Sequence, residues 1–137
     1  MANLFLIMVL TASLAASFAW PRNRPPVAVD DQYFILYHPV PVVEIPVLEN
    51  DTDPDGDVLQ VTALPAIEGG KAEIVDGTIV RVYIDWSQQV PDDFYGLMAR
   101  GTYAVSDGMA TRYANWTVWY FPEIPPIALG ASTEGGD

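Results

Sequence analysis

After residue 20, no stretch of this chain keeps a helical period of apolar residues for three turns. Short runs rich in Val, Ile, Tyr, Thr and Trp follow one another instead, each cut off by Gly, Pro or Asp. β-branched and aromatic residues bounded by turn formers are the mark of strands. The runs fall at residues 32–37, 42–48, 58–63, 72–75, 78–85, 101–106 and 110–121. Short strands in this number, with turn signals between them, fit an all-β Greek-key sandwich of about 100 residues. A chain of 137 residues has room for one such domain with a self-sufficient core. It has no cysteine, so neither a disulfide framework nor a thiolate zinc site is available.

Asp76-Gly77 sits between two apolar runs and predicts a tight hairpin, because Gly tolerates the positive φ of a primed turn. Asp107-Gly108 predicts the same before the last strand. That strand alternates Arg112, Ala114, Trp116, Val118 and Tyr120 with Tyr113, Asn115, Thr117, Trp119 and Phe121. Both sets carry aromatics, so the pattern leaves open which one faces the core.

The ends of the chain differ from its middle. Residues 1–19 hold no charged side chain, have an apolar centre from Leu4 to Leu14, and close on Ser17-Phe18-Ala19. That is the small-x-small ending of a secretory signal, although a retained apolar anchor of this length could also span a bilayer. Residues 20–26 (WPRNRPP) read as an extended linker, 27–122 as the sandwich, and 123–137 as a Pro- and Gly-rich acidic tail.

With 18 acidic and 6 basic residues the formal net charge is -12. This argues against a nucleic-acid partner and against docking on anionic membranes, so any membrane contact falls to the N-terminal segment. It favours cations. Eight of the acids lie between Asp30 and Asp57, and no Lys or Arg occurs between Arg24 and Lys71. The densest part is Asn50-Asp51-Thr52-Asp53-Pro54-Asp55-Gly56-Asp57. Carboxylates at alternate positions of a turn can converge, and calcium takes six to eight hard oxygens in irregular geometry. The loop overlaps the first half of an EF-hand, but the twelfth position is Thr62 and the flanks read as strands. A calcium loop between two strands is the reading that remains, with magnesium second. Against it stands a metal-free Asp/Gly turn held by side-chain-to-backbone bonds.

Three motifs resemble those of the bacterial cadherin-like, Ig-like modules found in tandem in large surface adhesins. The first is Asn23-Arg24-Pro25-Pro26-Val27-Ala28-Val29-Asp30-Asp31. The second runs Val47-Leu48-Glu49-Asn50-Asp51-Thr52-Asp53-Pro54-Asp55-Gly56-Asp57-Val58-Leu59, and the third is Tyr103-Ala104-Val105-Ser106-Asp107-Gly108. They occur in the family's order over about residues 23–121. The resemblance implies a seven-stranded Ig/cadherin-like sandwich and a calcium site built from Asp31, Asp51, Asp53, Asp55, Asp57 and Asp107. It also implies a secreted or cell-surface location and a role in adhesion or surface structure. The chain departs where the family has an acid and then Phe before the third motif; Ala99 and Gly101 stand there. Tandem copies are the family's habit, and this chain has one.

The function expected is therefore a non-enzymatic extracellular module, stiffened by calcium and able to join copies of itself or other surface proteins by strand exchange. The alternative is a secreted carbohydrate-binding module using Trp86, Trp116, Trp119 and Tyr120 as a sugar platform. No nucleophile, P-loop or dinucleotide motif occurs, and His38 is the sole histidine. Asp85 with Asp92-Asp93 is the one carboxylate set that could be asked to hydrolyse a glycoside, and a chain this acidic produces such sets freely.

Overall fold

The computed structural model describes residues 20–87 and 96–122. The signal or anchor segment 1–19, the tail 123–137 and Asp92-Asp93 lie outside the described residues. Within them the chain forms seven strands. These are β1 (Asp31–Leu36), β2 (Val42–Ile45), β3 (Gln60–Glu68), β4 (Gly70–Val75), β5 (Ile79–Ile84), β6 (Gly96–Ser106) and β7 (Thr111–Phe121). One sheet has the order β1-β7-β6-β3 and the other β2-β5-β4. β1 lies parallel to β7, and every other pair is antiparallel. The chain changes sheet after β1, β2, β3 and β5, which gives the expected Greek-key sandwich.

Alternation decides what lies between the sheets. Val43, Ile45, Val80, Val82 and Ile84 are buried on the three-stranded side. Ile35, Val61, Ala99, Tyr103, Val105, Ala114, Trp116, Val118 and Tyr120 meet them from the other. The ambiguity in β7 resolves toward Ala114, Trp116, Val118 and Tyr120 inside. Trp116 is fully buried, and the departure at Gly101 explains how. A Cβ at Gly101 would come within 2.4 Å of the Trp116 ring. The volume that an aromatic at position 101 would take is filled by the indole of the neighbouring strand.

The expected strands are all present, with shifted ends. β2 stops before Pro46, where the expectation ran to residue 48. β3 runs on through Pro65 to Glu68, which an edge strand with two irregularities in its register can accommodate. Asp76 and Gly77 have φ of 52° and 68°, with Thr78 N–H donating to Val75 O at 3.1 Å, so the primed hairpin is there. The other hairpin is looser than expected. Four residues, 107–110, separate the paired Ser106 and Thr111.

These registers gather the start of β3 and the β6–β7 turn at one pole, which the segment before β1 reaches through the Asn23–Asp107 hydrogen bond. The acidic loop arrives at that pole between β2 and β3.

Candidate metal centre at the acidic pole

The loop is pinned before it curls. Val27 and Thr52 exchange both backbone hydrogen bonds, at 2.7 and 3.1 Å, so the segment before β1 lies along the loop. Asp53 Oδ1 then accepts the amides of Asp55 at 2.8 Å and Asp57 at 3.1 Å, and Gly56 N–H closes onto Asp53 O. Gly56 sits at φ +79°, a conformation glycine adopts without strain. The curl brings one carboxylate oxygen from each of Asp53, Asp55 and Asp57 within 4.8 Å of one another. Asp53 Oδ2 is buried with no hydrogen-bond partner among the described residues. A buried orphan oxygen beside two more carboxylates is a donor set that suits a hard cation.

One premise from the sequence fails here. The loop does not lack a cation, because Arg24 folds onto it from 31 positions away. Its guanidinium Nε reaches Asp55 Oδ1 at 2.7 Å and its backbone N–H reaches Asp55 Oδ2 at 2.6 Å. The Arg24 amide and then its side chain hold the Asp55 carboxyl below the usual range. Asn23 is tied down beside it, donating to Asp107 Oδ2 at 2.9 Å. Residues 23 and 24, expected in an extended linker, thus bond to the acidic pole.

Asp107 is nearby but committed. Its Oδ1 accepts the amides of Ala110 at 2.6 Å and Met109 at 2.7 Å, which shapes the β6–β7 turn and, with Asn23, holds its carboxyl low.

The remaining two expected ligands form an inner cluster. Asp51 is buried, and its Oδ1 accepts the Val29 amide at 2.7 Å. The Tyr103 hydroxyl lies 2.9 and 3.1 Å from the two Asp51 oxygens, with Val29 O and Val47 O at 3.0 and 3.2 Å. Burial raises the Asp51 carboxyl, and the Val29 and Tyr103 bonds offset part of that. Asp31 is pushed up to about 6, first by burial and then by the Asp51 and Asp30 charges. Its Oδ2 is also buried without a partner. Burial raises the Tyr103 hydroxyl well above the ordinary phenol range, and Asp31 adds to it.

The six expected ligands therefore divide rather than converge on a single point. Asp53, Asp55 and Asp57 come together, Asp31 and Asp51 surround Tyr103, and Asp107 holds a turn. Tyr103, Arg24 and Asn23 were not singled out as site residues. All three lie inside the first and third motifs, which was the available signal.

The chain matches the bacterial Ig domain model over residues 23–119. It belongs to the bacterial Ig domain family. The match begins at Asn23, where the bonds to the acidic pole begin. No curated protein matches this chain. A solved structure similar to it is an endo-fucoidan hydrolase from glycoside hydrolase family 107, with TM-score 0.43 and 17% identity. That alignment covers 75% of this chain and 17% of the hydrolase.

In this bacterial Ig domain the four aromatics considered as a sugar platform do not share a surface. Trp116 and Tyr120 face the core, and Trp86 packs edge-on against Tyr120 with centroids 5.1 Å apart. Trp119 alone of the four lies on the outer face of its sheet.

Proposed function

We propose that this bacterial Ig domain is a non-enzymatic structural module of an extracellular or surface protein, stiffened at its acidic pole by a calcium ion. Asp53, Asp55 and Asp57 would hold the ion, and the observation that carries the reading is Asp53 Oδ2, buried beside two other carboxylates and without a partner. Bacterial Ig domains are typically non-enzymatic and are usually found in extracellular or surface proteins. Extracellular calcium modules bind at about 10⁻⁴–10⁻³ M, an affinity that a three-carboxylate loop with backbone and water oxygens can supply.

When bound, the cation supplies positive charge that removes the repulsion within the loop. The protein's own part is to present the oxygens. The Asp53 side chain folds the loop, the Val27–Thr52 bridge anchors it, and Tyr103 with Asp51 fixes the floor beneath. Arg24 competes with the ion for Asp55. The pole joins the segment entering the domain to the β2–β3 loop and the β6–β7 turn, so stiffening it fixes the direction from which a preceding segment arrives.

Self-assembly by strand addition remains part of this reading. Each sheet ends in edge strands, β1 and β3 in one and β2 and β4 in the other, and an edge presents unpaired backbone groups to an added strand.

Calorimetric titration of the chain with calcium tests the site. One binding event is expected, lost in Asp53→Asn with Asp57→Asn and tightened several-fold in Arg24→Ala. Equal heats in wild type and the double variant would remove these residues as ligands.

A further inference from the structure

The outer face of the four-stranded sheet is hollowed along β6. Arg100 and Thr102 of β6 alternate with the buried Ala99, Gly101 and Tyr103, and Asn115 and Thr117 of β7 with the buried Ala114, Trp116 and Val118. The register sets Glu68, Arg100 and Thr117 in one row across β3, β6 and β7, with Ala66, Thr102 and Asn115 in the next. A depression of about 440 Å³ has Asp30, Glu68, Arg100, Thr102, Asn115 and Thr117 in its lining. A second, of about 310 Å³, shares Glu68 and Arg100 with it and continues past Ala99 to Leu97. Both volumes fall in the range of small-molecule sites. From Leu97 to Thr102 the trough is about 17 Å long at roughly 3.4 Å per strand residue.

The polar side chains in the trough are positioned by bonds to one another. Asp30 Oδ1 accepts the Asn115 backbone amide at 2.8 Å, the Thr102 hydroxyl donates to Asn115 Oδ1 at 2.9 Å, and Arg100 Nε donates to Glu68 Oε2 at 2.6 Å. Capacity is left over. The second Asp30 oxygen, Glu68 Oε1 and both terminal nitrogens of Arg100 have no hydrogen-bond partner among the described residues. Beside them on the same face, Trp119 Nε1 donates to Thr117 Oγ1 at 3.2 Å, with Leu97 and Phe34 in register on either side of Trp119.

We propose that this trough binds a neutral glycan chain, whose hydroxyls bond to the polar row while a sugar ring stacks on the Trp119 indole. A sugar offers hydroxyls that donate and accept along its edge, and C–H bonds on its face. Carboxylate, guanidinium, amide and hydroxyl groups side by side match the edge, and an aromatic ring matches the face. Charge selects the neutral class. Arg100 is already paired with Glu68, Asp30 adds a negative charge, and the chain carries a formal -12, so a sulfated or uronic-acid polymer is repelled. A peptide strand is disfavoured, because β6 and β7 lie inside the sheet and their backbone groups pair with neighbouring strands. The sugar platform expected from Trp86, Trp116, Trp119 and Tyr120 thus gives way to one that keeps Trp119 alone.

Affinity electrophoresis of the full chain tests this, in native gels cast with laminarin, xyloglucan or galactomannan as neutral polymers and alginate or chondroitin sulfate as acidic ones. Retardation by at least one neutral polymer and by neither acidic one is expected, equally in calcium and in chelator. Arg100→Ala and Asn115→Ala should each weaken it several-fold with the unfolding midpoint kept, and Glu44→Gln on the other sheet should leave it intact. Migration unaffected by all three neutral polymers would overturn the proposal, as would retardation by an acidic polymer. Trough variants retarded as strongly as wild type would overturn it too. Retardation that vanishes in chelator would assign binding to the acidic pole instead of the trough, whereas retardation kept in chelator is independent of the calcium reading.

Discussion

The Tyr103 hydroxyl meets both oxygens of Asp51 in the interior of the sandwich, with Asp31 alongside. Tyr103→Phe keeps the ring and removes the hydroxyl bonded to the buried Asp51 carboxylate. Hydrogen bonds to charged groups contribute about 1.5–3 kcal/mol, so chemical denaturation should show a loss of that size. Asp31 gives a pH dependence whose sign follows from its carboxyl being pushed up to about 6 from an ordinary 3.8. The folded state holds that proton more tightly than the unfolded state does. The resulting stabilisation is complete below pH 3.8 and is lost as pH rises through about 6. In chelator, the melting temperature should therefore rise as pH is lowered from 7 toward 5. Asp31→Asn should melt higher than wild type at pH 7 and show a smaller rise, with Asp51 supplying what is left because burial shifts it the same way. Equal pH profiles for the two proteins would show that Asp31 is not strained.

At the level of elements, the strands were legible because period-two alternation and Gly, Pro and Asp turns are local signals. Asp76-Gly77 was read correctly for that reason, since the turn type follows from the residues that occupy it. The failures were also local in origin. Pro65 made β3 look finished at residue 63, yet as an edge strand β3 pairs through it to Glu68. The inward face of β7 could not be chosen from its own residues, because the choice depends on Gly101 of β6 opening space for Trp116. That pairing yields a test. In Gly101→Ala the added carbon would lie 2.4 Å from Trp116 and 2.5 Å from Ala66 O, so neighbours on both sides must move. Overpacking of this kind costs about 1–3 kcal/mol, measurable as a lower denaturation midpoint with an unchanged slope.

On the scale of the whole molecule, the sequence showed that an acidic loop exists but not how its charge is distributed. Five acids in nine residues looked unrelieved, because Arg24 is distant along the chain. Folding returns Arg24 to Asp55 and Asn23 to Asp107, and sinks Asp51 beneath Tyr103. What remains for a cation is the trio Asp53, Asp55 and Asp57, a narrower site than the six residues that the family resemblance implied. WPRNRPP reads as linker by composition, while its Asn23 and Arg24 side chains bond to the pole. Thermal unfolding in calcium against chelator, repeated on Asp53→Ala with Asp55→Ala, puts the proposed ion to the most direct test. A ligand at about a hundred times its dissociation constant stabilises the native state by about 2.7 kcal/mol. For a domain of this size that corresponds to a rise of roughly 10–20 °C, expected in wild type and absent from the double variant. Identical melting of the wild type in calcium and in chelator would leave the bacterial Ig domain without its metal, and its acidic pole as a turn held by Arg24, the Asp53 side chain and the Val27–Thr52 bridge.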